Sequence, residues 1–199
     1  MQVNSPSFIE SVLNCIEKDV VPLTEKAVQD GNKVFGAAVL KKEDMSLVVA
    51  GTNMEMEWPL LHGEVSCLRN LQKLESRPDN KSCVFVCTHE PCSLCLSAIT
   101  WSGFDNFVYL FGYQATKDTF NIPHDLQIMD SVFDCKDGSY NRENRYWKAS
   151  GISDLIASLP DGEEKQKLTQ QVERLGAKYN ELSEVYQASK SDGSTIPLS

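Results

Sequence analysis

Residues 83–111 read CVFVCTHEPCSLCLSAITWSGFDNFVYLF, and the fold turns on this stretch. Cys83-Val84-Phe85-Val86-Cys87 is β-branched and aromatic enough for a buried strand. Pro91 precedes a helical segment from Cys92 to Trp101, and Phe107-Val108-Tyr109-Leu110-Phe111 is a second buried strand. Strand, helix, strand in that order predicts parallel pairing through a right-handed crossover, hence an α/β core. Cys83 and Cys87 alternate onto one strand face and read as core, as does Cys67 on the preceding helix.

Upstream, Val34 to Leu40 and Leu47 to Ala50 flank the polar turn Lys41–Asp44 and form a candidate hairpin. Residues 62–73 regain helical spacing through Val65, Leu68 and Leu71. Phe8, Val12, Ile16, Val20, Leu23 and Ala27 predict an amphipathic helix that Pro22 bends or interrupts. Downstream the pattern weakens: 121–154 reads as irregular covering structure. Past Pro160 a stripe of Leu168, Val172, Leu175, Tyr179, Leu182 and Tyr186 steps by four and three, a near-heptad seam expected to lie against its own domain rather than a partner coil. The expected organisation is a domain over 1–155, a helical extension over 156–188 and a flexible polar tail over 189–199.

With 199 residues, 41% hydrophobic and 24% charged, the chain supports one ordinary core. Its 19 basic against 28 acidic residues leave a net charge of −9, which disfavours nucleic acid as a partner. No apolar run has membrane-span length, and the start lacks the pattern of a secretion signal, so a soluble, cytoplasmic protein is expected. Seven cysteines, an odd number, point to reduced thiols and metal ligands rather than a disulfide framework.

Two short segments carry chemistry: His62-Gly63-Glu64 and Pro91-Cys92-Ser93-Leu94-Cys95. Cysteines three apart at a helix start turn toward one point, and the positive helix end favours the thiolate that zinc binds. One imidazole and two thiolates give three protein ligands and leave a fourth position for water, the shape of a catalytic zinc site. Glu64 is not needed as a ligand and stands where it can carry protons during hydrolysis. A lone Cys-x-x-Cys also occurs in redox dithiols and closed zinc knuckles; the upstream His-x-Glu favours the catalytic reading. His89 and Glu90 lie near the cysteines, with His89 read as a supporting or rim residue and His124 as a surface one.

These motifs resemble the signature of the cytidine deaminase-like superfamily of zinc hydrolases. His62-Gly63-Glu64-Val65-Ser66 is similar to fungal cytosine deaminases; Glu90 to Ile99 followed by Trp101 is similar to bacterial guanine deaminases and tRNA adenosine deaminases. The resemblance runs from about Val34 to Tyr113. It implies a three-layer α/β/α sandwich around a mixed five-stranded sheet, with Zn2+ held by His62, Cys92 and Cys95 and with Glu64 as proton shuttle. It further implies that Asn53 binds the substrate base and that Gly36 and Ala37 let backbone approach the ring. A homodimer or higher homo-oligomer is implied too.

The chain departs from the family at Glu57-Trp58-Pro59-Leu60-Leu61, which stands in place of Asp-Pro-Thr, so Trp58 is either a stacking residue or loop packing. Tyr140 to Trp147 is a candidate lid that would bring Trp147 to the substrate, or else a subunit contact. The expected function is hydrolytic deamination of a free nucleobase or nucleoside, with release of ammonia. A tRNA adenosine deaminase and a catalytically silent zinc scaffold are the alternatives.

Overall fold

The computed structural model describes residues 5–190 and 196–198. Helix α1 (Pro6–Cys15) starts at Ser5, whose hydroxyl accepts from the Phe8 amide at 3.2 Å. A single wide π-helical turn, Ile16–Val20, joins it to α2 (Val21–Gln29). Pro22 sits just inside α2: a proline has no N–H to give to the preceding turn, and the helix absorbs the loss by widening rather than ending.

The hairpin is present as β1 (Gly36–Lys41) and β2 (Leu47–Thr52), paired antiparallel with Val39 opposite Val49. After α3 (Gly63–Gln72), strand β3 (Cys83–His89) pairs antiparallel with β1, and α4 (Ser93–Trp101) carries the chain to β4 (Asn106–Phe111), parallel to β3. The expected strand–helix–strand unit is therefore the centre of the sheet. Two further helices, α5 (Tyr113–Asp118) and α6 (His124–Phe133), precede β5 (Lys148–Gly151), α7 (Ile152–Ala157) and α8 (Glu163–Lys190). The sheet order is β2-β1-β3-β4-β5.

Alternation along the strands divides the interior in two. Ala38, Leu40, Val84, Val86, Val108 and Leu110 face a core built with α1, α2, α7 and α8. Ala37, Val39, Phe85, Cys87, Phe107 and Tyr109 face a second core with α3 and α4, in which Cys67 and Cys83 are also buried. The result is helix, sheet, helix in three layers. On α8, Leu168, Leu175, Tyr179, Leu182 and Tyr186 are buried in the first core, so the seam faces its own sheet layer. No helix of the described residues is long and apolar enough to cross a membrane.

Residues 121–154 differ from the sequence expectation. They hold α6, the fifth strand and the start of α7 rather than irregular covering structure. Strand β5 is only Lys148-Ala149-Ser150-Gly151 and is parallel to β4, with Phe107 opposite Ala149. Four residues with one apolar side chain carry no period; long-range pairing with β4 makes the strand. Of the 189–199 tail, 191–195 and 199 lie outside the described residues, whereas Ile196 is buried.

Candidate metal centre and active-site cavity

The site forms at the carboxyl end of β3, where two helices begin. His62 is the residue before α3 and Cys92 the residue before α4, so both side chains project from helix N-termini. Gly63 is required between His62 and Glu64: a Cβ there would come within 2.7 Å of the Phe35 carbonyl oxygen and 2.9 Å of Gly36 Cα. That close approach brings the start of α3 onto the start of β1.

One ligand atom from each of His62, Cys92 and Cys95 falls within 4.8 Å of the other two, with Cys92 Sγ 3.4 Å from His62 Nδ1. Tetrahedral zinc with bonds of roughly 2.0–2.3 Å sets its ligands about 3.5–3.8 Å apart, so this donor set fits zinc. The chemistry of the donors fits as well. A bond from Cys95 holds the Cys92 thiol well below its ordinary range against the effect of burial, and His62 reinforces it. Burial alone would lower His62, but its hydrogen bond to the Cys92 sulfur carries it up to about 9; Cys95, buried beside a negative neighbour, is pushed well up. Without metal the cluster is thus thiolate, imidazolium and thiol.

Glu64, in the first turn of α3, is buried, and its Oε2 accepts from the Cys95 thiol at 3.2 Å. Burial, and then the charge on Cys92, raise its carboxyl to about 7, a value suited to taking and returning protons near neutral pH.

The cluster opens into a cavity of about 340 Å³ whose walls include Lys33, Phe35, Glu55, Leu60, His62, Cys92, Leu94, Ile122, His124, Asp125, Ile128 and Leu198. That volume suits a small molecule. Residues 122–128 and the described tail residues Pro197 and Leu198 form its far side, so His124 is a cavity residue rather than a plain surface one. Asp125 faces the metal cluster; burial, followed by the Cys92 charge, pushes its carboxyl well above the usual range.

Asn53 is fully buried beneath this cavity and its amide is engaged. Oδ1 accepts from the backbone N–H of Lys33 (3.3 Å) and of Glu55 (3.1 Å), while Nδ2 donates to Glu55 Oε2 at 2.6 Å. Gly36 and Ala37 are absent from the cavity wall, where Phe35 stands instead. Their small size serves packing, since a Cβ on Gly36 would meet Val20 Cγ1 at 2.4 Å and Ala37 is buried in the second core. Trp58 is half exposed in the turn before His62, and its neighbours Pro59 and Leu60 line the cavity.

Trp147 does not reach the substrate space. Its indole packs on Phe107 and Tyr140 and donates to Thr100 Oγ1 at 2.7 Å, near the end of α4 and about 12 Å along that helix from Cys92. The 140–147 segment is pinned rather than lid-like: Glu90 accepts from Tyr140 Oη (2.9 Å), Arg142 Nε (3.0 Å) and the Tyr113 amide (3.2 Å). The sequence leaves this segment as lid or subunit contact; the sheet pairing of Lys148–Gly151 with β4 instead draws it against its own domain. His89 is enclosed by Phe35, Phe111, Phe120 and Tyr179, and burial drops it to about 3, so it is a neutral core residue.

Lys33, Glu55 and Asp125 escaped the sequence reading. Glu55 had one usable signal, its place two residues after Asn53, where an Asx-type bond to its own amide forms. Lys33 and Asp125 had none.

Comparison with known proteins agrees with this geometry. Residues 16–111 match the family described as the cytidine and deoxycytidylate deaminase zinc-binding region. A probable cytosine deaminase of Schizosaccharomyces pombe is 24% identical over 92 residues, covering 46% of this chain and 56% of that protein. Cytosine deaminase of Candida albicans is 30% identical over 86 residues, covering 42% and 56%. The match thus spans little more than half the length of either relative. Among solved structures, guanine deaminase from Nitrosomonas europaea superposes with a TM-score of 0.49 at 17% identity, covering 89% of this chain and 96% of that one. The match to that zinc-binding region covers just under half of the chain, and the His-Cys-Cys donor set assembled at one point lies inside it.

Proposed function

We propose that the protein is a zinc-dependent aminohydrolase that removes the exocyclic amine of a free nucleobase or nucleoside as ammonia. The observation that carries the reading is Glu64, a buried carboxyl raised to about 7, touching the donor cluster without being one of its ligands. A structural zinc site has no need of such a group.

His62, Cys92 and Cys95 would hold the metal, and zinc bound by three protein ligands supplies a Lewis acid that brings water toward ionisation near neutral pH. Glu64 accepts one proton from the attacking water and passes it to the ring nitrogen, then takes the remaining proton of the added hydroxyl and passes it to the amine, so that ammonia leaves as the ring carbonyl forms. Phe35, Leu60, Leu94 and Ile122 surround the ring and exclude bulk water, which strengthens every charge interaction inside.

The cavity wall also supports a small substrate over tRNA. Among the described residues lining it, the lysines and arginines amount to Lys33 alone, and that side chain is buried rather than presented at a mouth. Association of copies belongs to the same proposal: α4 leaves Leu94 partly exposed and Trp101 91% exposed on a helix with no charged residue, and sedimentation of the wild type against Trp101→Glu tests it.

The deciding experiment measures ammonia release from cytosine, guanine, adenine and their nucleosides, with zinc content determined in parallel. At least one cytosine- or guanine-type ring is expected to react. Glu64→Gln should keep its zinc and lose about 10²–10⁴ in turnover. Equal rates with and without that carboxyl would refute the assignment.

A further inference from the structure

The cavity wall contains an ion pair that the deamination chemistry above does not use. Lys33 Nζ lies 3.0 Å from Glu55 Oε1, with the two side chains only 6% and 4% exposed. Glu55 is saturated: Oε1 takes the ammonium, Oε2 takes the Asn53 amide, and Oε1 also faces His62 Nε2 at 3.8 Å. Lys33 is not. Among the described residues Glu55 is its only acceptor, so an ammonium with three donors keeps two of them without a protein partner, in the wall of the cavity.

Buried donors without partners are costly, and a ligand that satisfies them gains accordingly. The same geometry withdraws Asn53 from the ligand. Its Oδ1 accepts from the Lys33 and Glu55 amides, one Nδ2 N–H goes to Glu55, and the residue is fully buried and absent from the cavity wall, so it sets the position of the ion pair and leaves recognition to Lys33.

Resting on the deaminase reading, we propose that Lys33 is a specificity-determining residue. It donates to the ring carbonyl that lies two ring positions from the amine-bearing carbon and so restricts the substrate to amino-oxo rings. Cytosine-type and guanine-type rings both carry a carbonyl in that relation to the amine. Adenine-type rings place a C–H there, which would leave the ammonium unsatisfied and desolvated. Lys33 Nζ and His62 Nε2 both approach the same oxygen, Glu55 Oε1, at 3.0 and 3.8 Å, so the ammonium stands close enough to the metal centre for one ring to reach both.

A neutral oxygen fits better than an anion. Glu55 already cancels the lysine charge, which leaves no net positive charge there to hold a phosphate.

The test is equilibrium binding to zinc-loaded Glu64→Gln protein, in which turnover is suppressed. The probes are cytosine, 4-aminopyrimidine, which lacks the carbonyl, and cytidine monophosphate. Cytosine should bind about 10- to 100-fold more tightly than 4-aminopyrimidine, the range for a hydrogen bond to a charged donor. Adding Lys33→Met should bring the two within about threefold by weakening cytosine alone. Because that change strands Glu55, the companion Lys33→Met/Glu55→Gln, with no unpaired buried charge, must show the same levelling.

A carbonyl preference that survives loss of Lys33, or equal or undetectable binding of the two rings to the parent, overturns the proposal. So does a Lys33-dependent preference for the monophosphate over cytosine, which would make the ammonium an anion site. A wild type that releases no ammonia while Lys33-dependent cytosine binding persists would sink the deaminase reading and leave the recognition assignment standing.

Discussion

Residues 16–111 and residues 112–198 each supply one side of the same cavity, and they differ in how they do it. The first region contributes through residues placed at strand ends and helix starts: His62, Glu64, Cys92 and Cys95, with Phe35, Lys33 and Glu55 beside them. The second contributes Ile122, His124, Asp125, Ile128 and the tail residues 197–198 from short helices and loops. The family match stops where the first region ends. Under the proposed function the difference separates tasks: the metal and proton chemistry would sit on the sheet-bound half, and the far wall of the pocket on the half outside the family match.

The largest effects should therefore follow from the first region. Cys95→Ala removes one of three ligands, and metal content should fall from about one zinc per chain to near none, with turnover lost by at least about 10³. The ionisation of the cluster adds a second readout. His62 is carried up to about 9 and burial holds the Cys95 thiol against ionisation, so each brings a proton to be displaced, whereas the Cys92 thiol is eased toward thiolate. Zinc uptake should release about two protons per metal. Calorimetry in buffers of different ionisation enthalpy measures this, and release near zero would contradict the assigned ligand states.

Trp147 and Trp58 give a paired test across the two regions, since each was a substrate candidate on sequence grounds. Trp147 is 7% exposed and wedged against Phe107, Tyr140 and Thr100. Trp147→Ala should cost about 3–5 kcal/mol of stability in denaturant titrations while leaving substrate KM of the folded fraction unchanged. Trp58 is half exposed, and Trp58→Ala should cost less than about 1 kcal/mol. A raised KM from Trp147→Ala without loss of stability would return that residue to the pocket and blur the contrast between the regions.

The same contrast explains what could be read from the chain before folding. Cys83–Cys87 and Phe107–Leu110 are apolar runs buried on both faces, so composition alone marks them as central strands, and the helix between them follows. The metal ligands are legible because two cysteines three apart at a helix start carry their geometry locally. Glu55 and Lys33 are legible only as charges: 22 positions apart in the chain, they meet because β1 and β2 pair antiparallel and return the chain to the same place. Asn53 shows the limit of carrying a role by motif. In the folded chain it lies buried behind the cavity wall, and the carboxylate two residues away takes one of its amide N–H groups. Trp147 failed for a related reason, because a four-residue strand with no period of its own buried it.

The test of Glu64 that needs no substrate concerns stability of the metal-free protein. Glu64 has its carboxyl raised to about 7 in the folded state, above the ordinary value it regains on unfolding. The folded chain therefore holds the proton more tightly. Its contribution is fully present below about pH 4.5 and is lost as pH rises through about 7, where a buried charge must be tolerated. Glu64→Gln removes that charge while keeping the shape. Chelated variant and parent should have equal stability near pH 4, and the variant should gain about 2–4 kcal/mol by pH 8. A gain that is constant across this range would mean that the glutamine merely packs better. A loss at pH 8 would mean that the carboxylate is held by partners that stabilise its charge, and the base assigned to the first region would then be too weak for the chemistry proposed.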